Sequence, residues 1–357
     1  MTQALGGRGA SAGRAPLSRY VATVLALSGA IGLAGCGGGA PSDGELAEQE
    51  PEQALAEMAG VAAVEREFDV SEDDFYVNEV TVDAEGDVTA GELAAILDVM
   101  SFYDRGEEPV GGTIYLDAGT TDFSSSDGPE RSTLYHEPGS EGEQLARAET
   151  FLTAIGELDG ADVVVEGDEL RVAPLGFGDD SIAPSDPADA LAVLDAARVI
   201  RGGELAEVPE IGVDSADFSL RLDPEIGERN LAAWERLVEA ARASPDVELA
   251  RLRIASLLET PQSASIEACL RTSRSDSPAA IELTPERYGE SFEPILGELL
   301  LTSRGLGADA RLEAQSYVEQ PGRYVVCEPF LTTVAGEAER DPFRRGWEAE
   351  AERLLKP

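Results

Sequence analysis

Few residues in this chain are equipped for chemistry, and each can be weighed in turn. His136 is the only histidine, so a histidine-rich metal site is excluded and a Ser-His-Asp triad would have to use it. It stands in Ser132-Thr-Leu-Tyr-His-Glu137, which reads as a strand edge beside a loop, the setting of a non-catalytic histidine. The cysteines are Cys36, Cys269 and Cys327, and no Cys-x-x-Cys pair is formed. There is no P-loop, no Gly-x-Ser-x-Gly elbow and no His-Glu-x-x-His. Gly176-Phe-Gly178-Asp179 lies in a loop with nothing beside it to cradle phosphate. No catalytic or cofactor-binding residue is assigned.

The string most like a site is Asp83-Ala-Glu85-Gly-Asp87-Val-Thr-Ala-Gly-Glu92. It resembles an EF-hand calcium loop, with oxygens at positions one, three and five and a glutamate entering a helix. The loop is two residues short, however, and lacks the glycine of the central turn. A strand, a polar turn and a helix capped by Thr89-x-x-Glu92 account for every residue of it, so no metal ligand is assigned. Paired carboxylates elsewhere carry no weight, because with 70 Asp+Glu their closeness in sequence is expected by chance.

The amino terminus carries an address. Arg8, Arg14 and Arg19 precede Val21–Leu33, an apolar run of 13 residues that is too short to span a bilayer but suits a signal h-region. The run ends in Leu33-Ala34-Gly35-Cys36, which resembles the lipobox of bacterial lipoproteins. That resemblance implies cleavage before Cys36 and lipidation of its sulfur by diacylglyceryl, so that residues 1–35 are removed and Cys36 holds the protein to a membrane. Two acyl chains give stable anchoring where one would be marginal. No Arg-Arg pair precedes the run, which favours the general secretory route. In an exported protein the two remaining cysteines, Cys269 and Cys327, are expected to form a disulfide.

Charge narrows the partners. After residue 35 the chain carries 70 acids against 27 − 3 = 24 bases, a net −46. Such a field repels phosphate backbones and anionic headgroups, which argues against nucleic acid and against a basic membrane-docking face. Metal ions, cationic ligands and basic partners remain compatible. With 43% hydrophobic residues the 357-residue chain can nonetheless bury substantial cores.

These residues must be positioned by a recurring set of elements. Residues 36–51 are small, polar and acidic and read as a flexible tether. Beyond them the pattern helix, two strands, helix, one or two strands recurs. With a shift of 86, Leu145, Ala148, Phe151, Leu152 and Ile155 fall on Leu231, Trp234, Leu237, Val238 and Ala241, the buried stripe of an amphipathic helix. With a shift of 97, Leu93-Ala-Ala-Ile-Leu-Asp98 falls on Ala190-Leu-Ala-Val-Leu-Asp195. Asp186-Pro187 and Thr284-Pro285 mark two helix starts, and Gly289, Pro294 and Gly297 interrupt the third helix, which reads as one weak helix or two short ones.

Strand candidates include Val77–Val82, Thr113–Leu116, Asp162–Val165, Leu170–Ala173, Phe218–Leu222, Leu249–Ala255, Ser265–Thr272, Ala310–Val318 and Arg323–Cys327. Several alternate apolar and polar, which implies sheets with one wet face. The predicted fold class is α+β, as three tandem ferredoxin-like (split βαβ) units over 52–125, 126–214 and 215–332. A C-terminal segment, 333–357, follows, whose helix from Asp341 to Leu355 should dock on its own protein through Phe343, Trp347, Ala351 and Leu354.

The functional expectation is a non-enzymatic interaction or ligand-binding module of the cell envelope, lipid-anchored on the extracytoplasmic face of a membrane. One rival is an envelope hydrolase built from dispersed acids; another is an assembly factor of a membrane complex. No cofactor is expected, and the only assigned partner is the membrane itself, through Cys36.

Overall fold

A computed structural model describes residues 43–47, 49–70, 76–106, 109–117, 131–174, 187–215, 217–244, 246–257, 260–272, 284–318, 326–335, 337–338 and 346–356. Two short helices, α1 (Asp43–Leu46) and α2 (Pro51–Ala56), lead into the hairpin β1 (Val61–Val70) and β2 (Tyr76–Ala84). Helix α3 (Ala90–Asp104) then returns the chain so that β3 (Gly111–Asp117) lies parallel to β2. The same module recurs: β3 pairs antiparallel with β4 (Arg131–Tyr135), and α4 (Glu141–Glu157) carries the chain to β5 (Asp162–Glu166) beside β4. Next come β6 (Glu169–Ala173), α5 (Pro187–Gly202), a 3-10 turn at Glu204–Glu207, β7 (Glu210–Ser215), β8 (Phe218–Arg221) and α6 (Gly227–Ala243). The run closes with β9 (Val247–Leu257), β10 (Thr260–Thr272), α7 (Pro285–Gly305), β11 (Arg311–Val318), β12 (Val326–Val334), β13 (Glu337–Ala338) and α8 (Trp347–Leu354).

All thirteen described strands join one mixed sheet whose spatial order is the order of the sequence. The α+β class is as expected, but the subdivision is not ferredoxin-like. In a split βαβ unit a third strand sits between the two that a helix connects, whereas here β2 and β3, β4 and β5, and each later helix-linked pair are direct neighbours. The repeating unit is half the size supposed, a hairpin plus a helix. Insertion of a strand between two others is a long-range pairing choice with no local signature, so element order alone could not decide it. The sheet also runs on through the hairpin β3–β4 and the tight turn β7–β8, where units had been divided.

Register explains which face is wet. Val64, Val82, Ile114, Leu134, Val165, Leu170 and Ile211 are successive pairing partners across seven strands, and partners share a face. A second apolar row runs Val172, Val213, Leu220, Ile254, Ile266, Leu312. Helices α3 to α7 cover this face, and their buried side chains merge with the rows into one core. With all helices on one side, β2–α3–β3 and β4–α4–β5 step the same way while running in opposite directions. They cannot both be right-handed crossovers, so alternate connections depart from the usual rule.

The alignment at a shift of 97 holds in three dimensions, and the one at 86 holds in part. Under the shift of 97, Leu93, Ile96, Leu97 and Met100 are buried, as are Ala190, Val193, Leu194 and Ala197. Under the shift of 86, α4 and α6 have equal length and matching ends, and Ala148 with Trp234 and Phe151 with Leu237 are buried at matching sites. Two positions depart: Leu152 is only half-buried while Val238 is buried, and Leu145 is 38% exposed while Leu231 is 9% exposed. The inner position at that turn belongs instead to Gln144, matched by Asn230, both fully buried.

Two further expectations resolve clearly. Helix α7 is continuous through Pro294, because Phe292, Ile295, Leu296, Leu299 and Leu300 are buried against the sheet and outweigh the lost backbone bond. Helix α8 docks on its own protein: Trp347 and Ala351 are buried, with the indole 4.8 Å from the Phe330 ring and 5.9 Å from the Phe292 ring. Phe343 lies outside the described residues.

Candidate functional site

Among the described residues, the chain's histidine meets a serine at the junction of α3, β4 and α4. Capping boxes set the helices: Thr89 and Glu92 close the start of α3, and Ser140 and Glu143 the start of α4. Ser101 near the end of α3 then faces His136 just past β4, with Oγ and Nε2 2.9 Å apart. The backbone N–H of His136 bonds to Gly112 O and so extends the β3–β4 ladder.

Hydrogen-bond bookkeeping decides what this pair can do. The Ser101 hydroxyl has one hydrogen, and the Leu97 carbonyl 2.9 Å away can only accept it. The Gln144 side-chain N–H donates to Ser101 Oγ at 3.2 Å and to Glu137 O at 2.8 Å. All four contacts are satisfied together only when His136 Nε2 carries hydrogen and donates to the serine. Activation of a serine requires the reverse, a bare ring nitrogen that takes the proton. Ser101 is also 2% exposed, which leaves no approach for a substrate.

The surroundings reinforce a structural role. Arg147 donates to Glu137 O at 2.9 Å and forms an ion pair with the Glu137 carboxylate at 3.6 Å, while Arg105 Nε donates to Ser101 O at 2.8 Å. Burial pushes the His136 pKa down, Asp104 opposes that, and Arg147 adds to it. The shift of 86 places Leu222 at the position of His136, so the polar pair is not a property of the repeat. The buried amide is one: Asn230 donates to Arg221 O at 2.9 Å just as Gln144 donates to Glu137 O. Each ties the first turn of a helix to the end of the strand before it. Extending the alignment one residue beyond Leu145 and Leu231 would have revealed these amides.

At the calcium-like string, Asp83 lies in β2 and Glu85 to Asp87 form the turn. The Glu92 carboxylate accepts from the Thr89 backbone N–H and hydroxyl, both at 2.8 Å. These bonds, the backbone one first, hold its pKa below the usual carboxylate range. The acid a calcium loop would need is thus spent on helix capping. Among the described residues no three His, Cys, Asp or Glu side chains gather as a metal site.

The structure brings Cys269 and Cys327 together as a disulfide-compatible pair, with Cα atoms 5.9 Å apart. Their strands, β10 and β12, are not neighbours, as they would be in a split-βαβ sheet, but flank β11. Next-nearest strands normally stand about 9–10 Å apart. The register shifts at this corner, between Ala314 and Gln315 and between Cys269 and Leu270, and the two cysteines approach across it. The pair sits on the wet face with Ala250 and Tyr317, and Arg271 lies 5.6 Å from the Tyr317 ring. Around it that face is laced by Arg221–Glu169, Arg251–Asp217 and Arg271–Glu248 ion pairs. Cys36, the whole signal-like segment and Gly176–Asp179 lie outside the described residues. No described helix is long and apolar enough to cross a membrane. Comparison with protein families, curated proteins and solved structures finds no match to this chain.

Proposed function

We propose that this chain is a bacterial lipoprotein, anchored through acylated Cys36 on the extracytoplasmic face of a membrane, where it acts as a non-enzymatic interaction or ligand-binding module. The observation that carries the anchor is the sequence Leu33-Ala34-Gly35-Cys36 closing a basic, then apolar, amino terminus. The non-enzymatic reading rests on the Ser101–His136 contact, the one serine–histidine meeting among the described residues, where the Leu97 carbonyl takes the serine hydrogen and leaves histidine as the donor. A long sheet with one helix-covered face and one polar face suits display of a surface, with residues 36–51 as the tether.

The test has two arms. Mass spectrometry of protein from its native host should find an acylated peptide beginning at Cys36, and Cys36→Ser should leave the precursor uncut. An unmodified mature protein that starts elsewhere refutes the anchor. In vivo crosslinking from the polar face, at Arg253 and Glu313, should capture an envelope component; a hydrolase activity abolished by Ser101→Ala would overturn the non-enzymatic reading.

A further inference from the structure

The second helix pair contains a half-open cavity of about 220 Å³ between α5, α6 and the start of β9. Its origin is visible in the repeat. In the first pair, Leu93 of α3, Ile155 of α4 and Leu158 at the end of α4 pack into the core. The matching residues of the second pair are Ala190, Ala241 and Ser244, all of which line the cavity. Three large apolar side chains have thus been replaced by small ones at a single packing site. Trp234, standing where the first pair has Ala148, restores only part of that volume and is itself fixed by its indole N–H bond to Ala190 O at 3.0 Å.

The lining is chemically uneven. Val238 and Leu249 complete an apolar interior. Ser244 has its hydroxyl hydrogen committed to Ala240 O at 3.0 Å. Glu248 is held by Arg271 through two bonds, at 2.6 and 3.1 Å. Arg242 is exposed, lines the mouth and makes no ion pair among the described residues, whereas Arg221, Arg251 and Arg271 of the sheet are paired. An apolar chamber with one uncommitted cation at its entrance fits an amphipathic anion. Apolar cavities of about 150 Å³ take up benzene, so this one has room for a hydrocarbon of roughly six to eight carbons.

We propose that this cavity binds medium-chain aliphatic carboxylates, the tail between α5 and α6 and the head group against Arg242. The site goes beyond the anchoring role and does not depend on it. Isothermal titration of the full-length chain with sodium octanoate should give saturable binding, with hexanoate about 15-fold weaker for two methylenes fewer. Ala241→Ile, which restores the residue of the first pair, should abolish binding while holding or raising the thermal midpoint. Ala190→Leu serves as the second filled variant if the first does not fold. Arg242→Gln should weaken octanoate about fivefold and leave octan-1-ol unchanged. The proposal is overturned if octanoate does not saturate, if both filled variants bind it as well as the parent, or if octylammonium binds as tightly.

Discussion

Joining Cys269 to Cys327 closes a loop of 327 − 269 = 58 residues that contains all of α7 and β11. The chain-entropy model puts the stabilisation from such a closure at roughly 4 kcal/mol. The compact unit spans Gly38–Pro357, and unfolding entropy near 2.1 cal/mol/K per residue converts that to a midpoint shift of about 6 °C. The loss should be felt first in α7. That helix carries Pro294 within its length and has no side-chain N-cap bond at Thr284, so it relies on packing and on the closed loop. Differential scanning calorimetry with and without reductant, and on Cys269→Ala/Cys327→Ala, should show the drop. Hydrogen exchange should show Pro285–Gly305 losing protection before β5 to β8. A shift below about 1 °C would refute the loop-entropy argument. Two free thiols in non-reducing peptide maps of protein from the native host would refute the bond itself.

Other outcomes follow from single sites. His136 has a folded pKa below its unfolded value, so the unfolded state binds more protons and stability should fall as pH drops below about 6.5. The urea midpoint of the parent should therefore decline more than that of His136→Gln between about pH 7 and 5; equal slopes would remove the histidine from the acid response. Trp347→Ala should cost about 3–5 kcal/mol, because the indole fills the space between Phe292 and Phe330; chemical denaturation showing under about 1 kcal/mol would mean α8 is not docked in solution. Calcium titration of the Asp83–Glu92 stretch should produce no change in melting, since Glu92 is committed to Thr89; a rise abolished by Asp83→Ala would contradict that.

The sequence by itself determined what is local or repeated. Thr89 and Glu92 announced the start of α3, Pro187 and Pro285 open α5 and α7, and matching residues foretold matching burial at Leu93, Ile96 and Leu97 for the shift of 97 and at Ala148 and Phe151 for the shift of 86. Such features depend on contacts within a turn or on the period of one helix, both of which are written in neighbouring residues. The strand order depends on pairings that any apolar strand of the right length satisfies equally, and Val165 beside Leu134 looks no different in sequence from Val165 beside another strand. Only the assembled sheet chose sequential order over the split arrangement. The same holds at single sites. That Cys269 reaches Cys327 across β11 is a property of the assembled corner, where the register shifts at Gln315. That His136 donates to Ser101 rests on a carbonyl one turn back in α3 and an amide from α4. These groups come from three elements, and only packing brings their few polar atoms within bonding range.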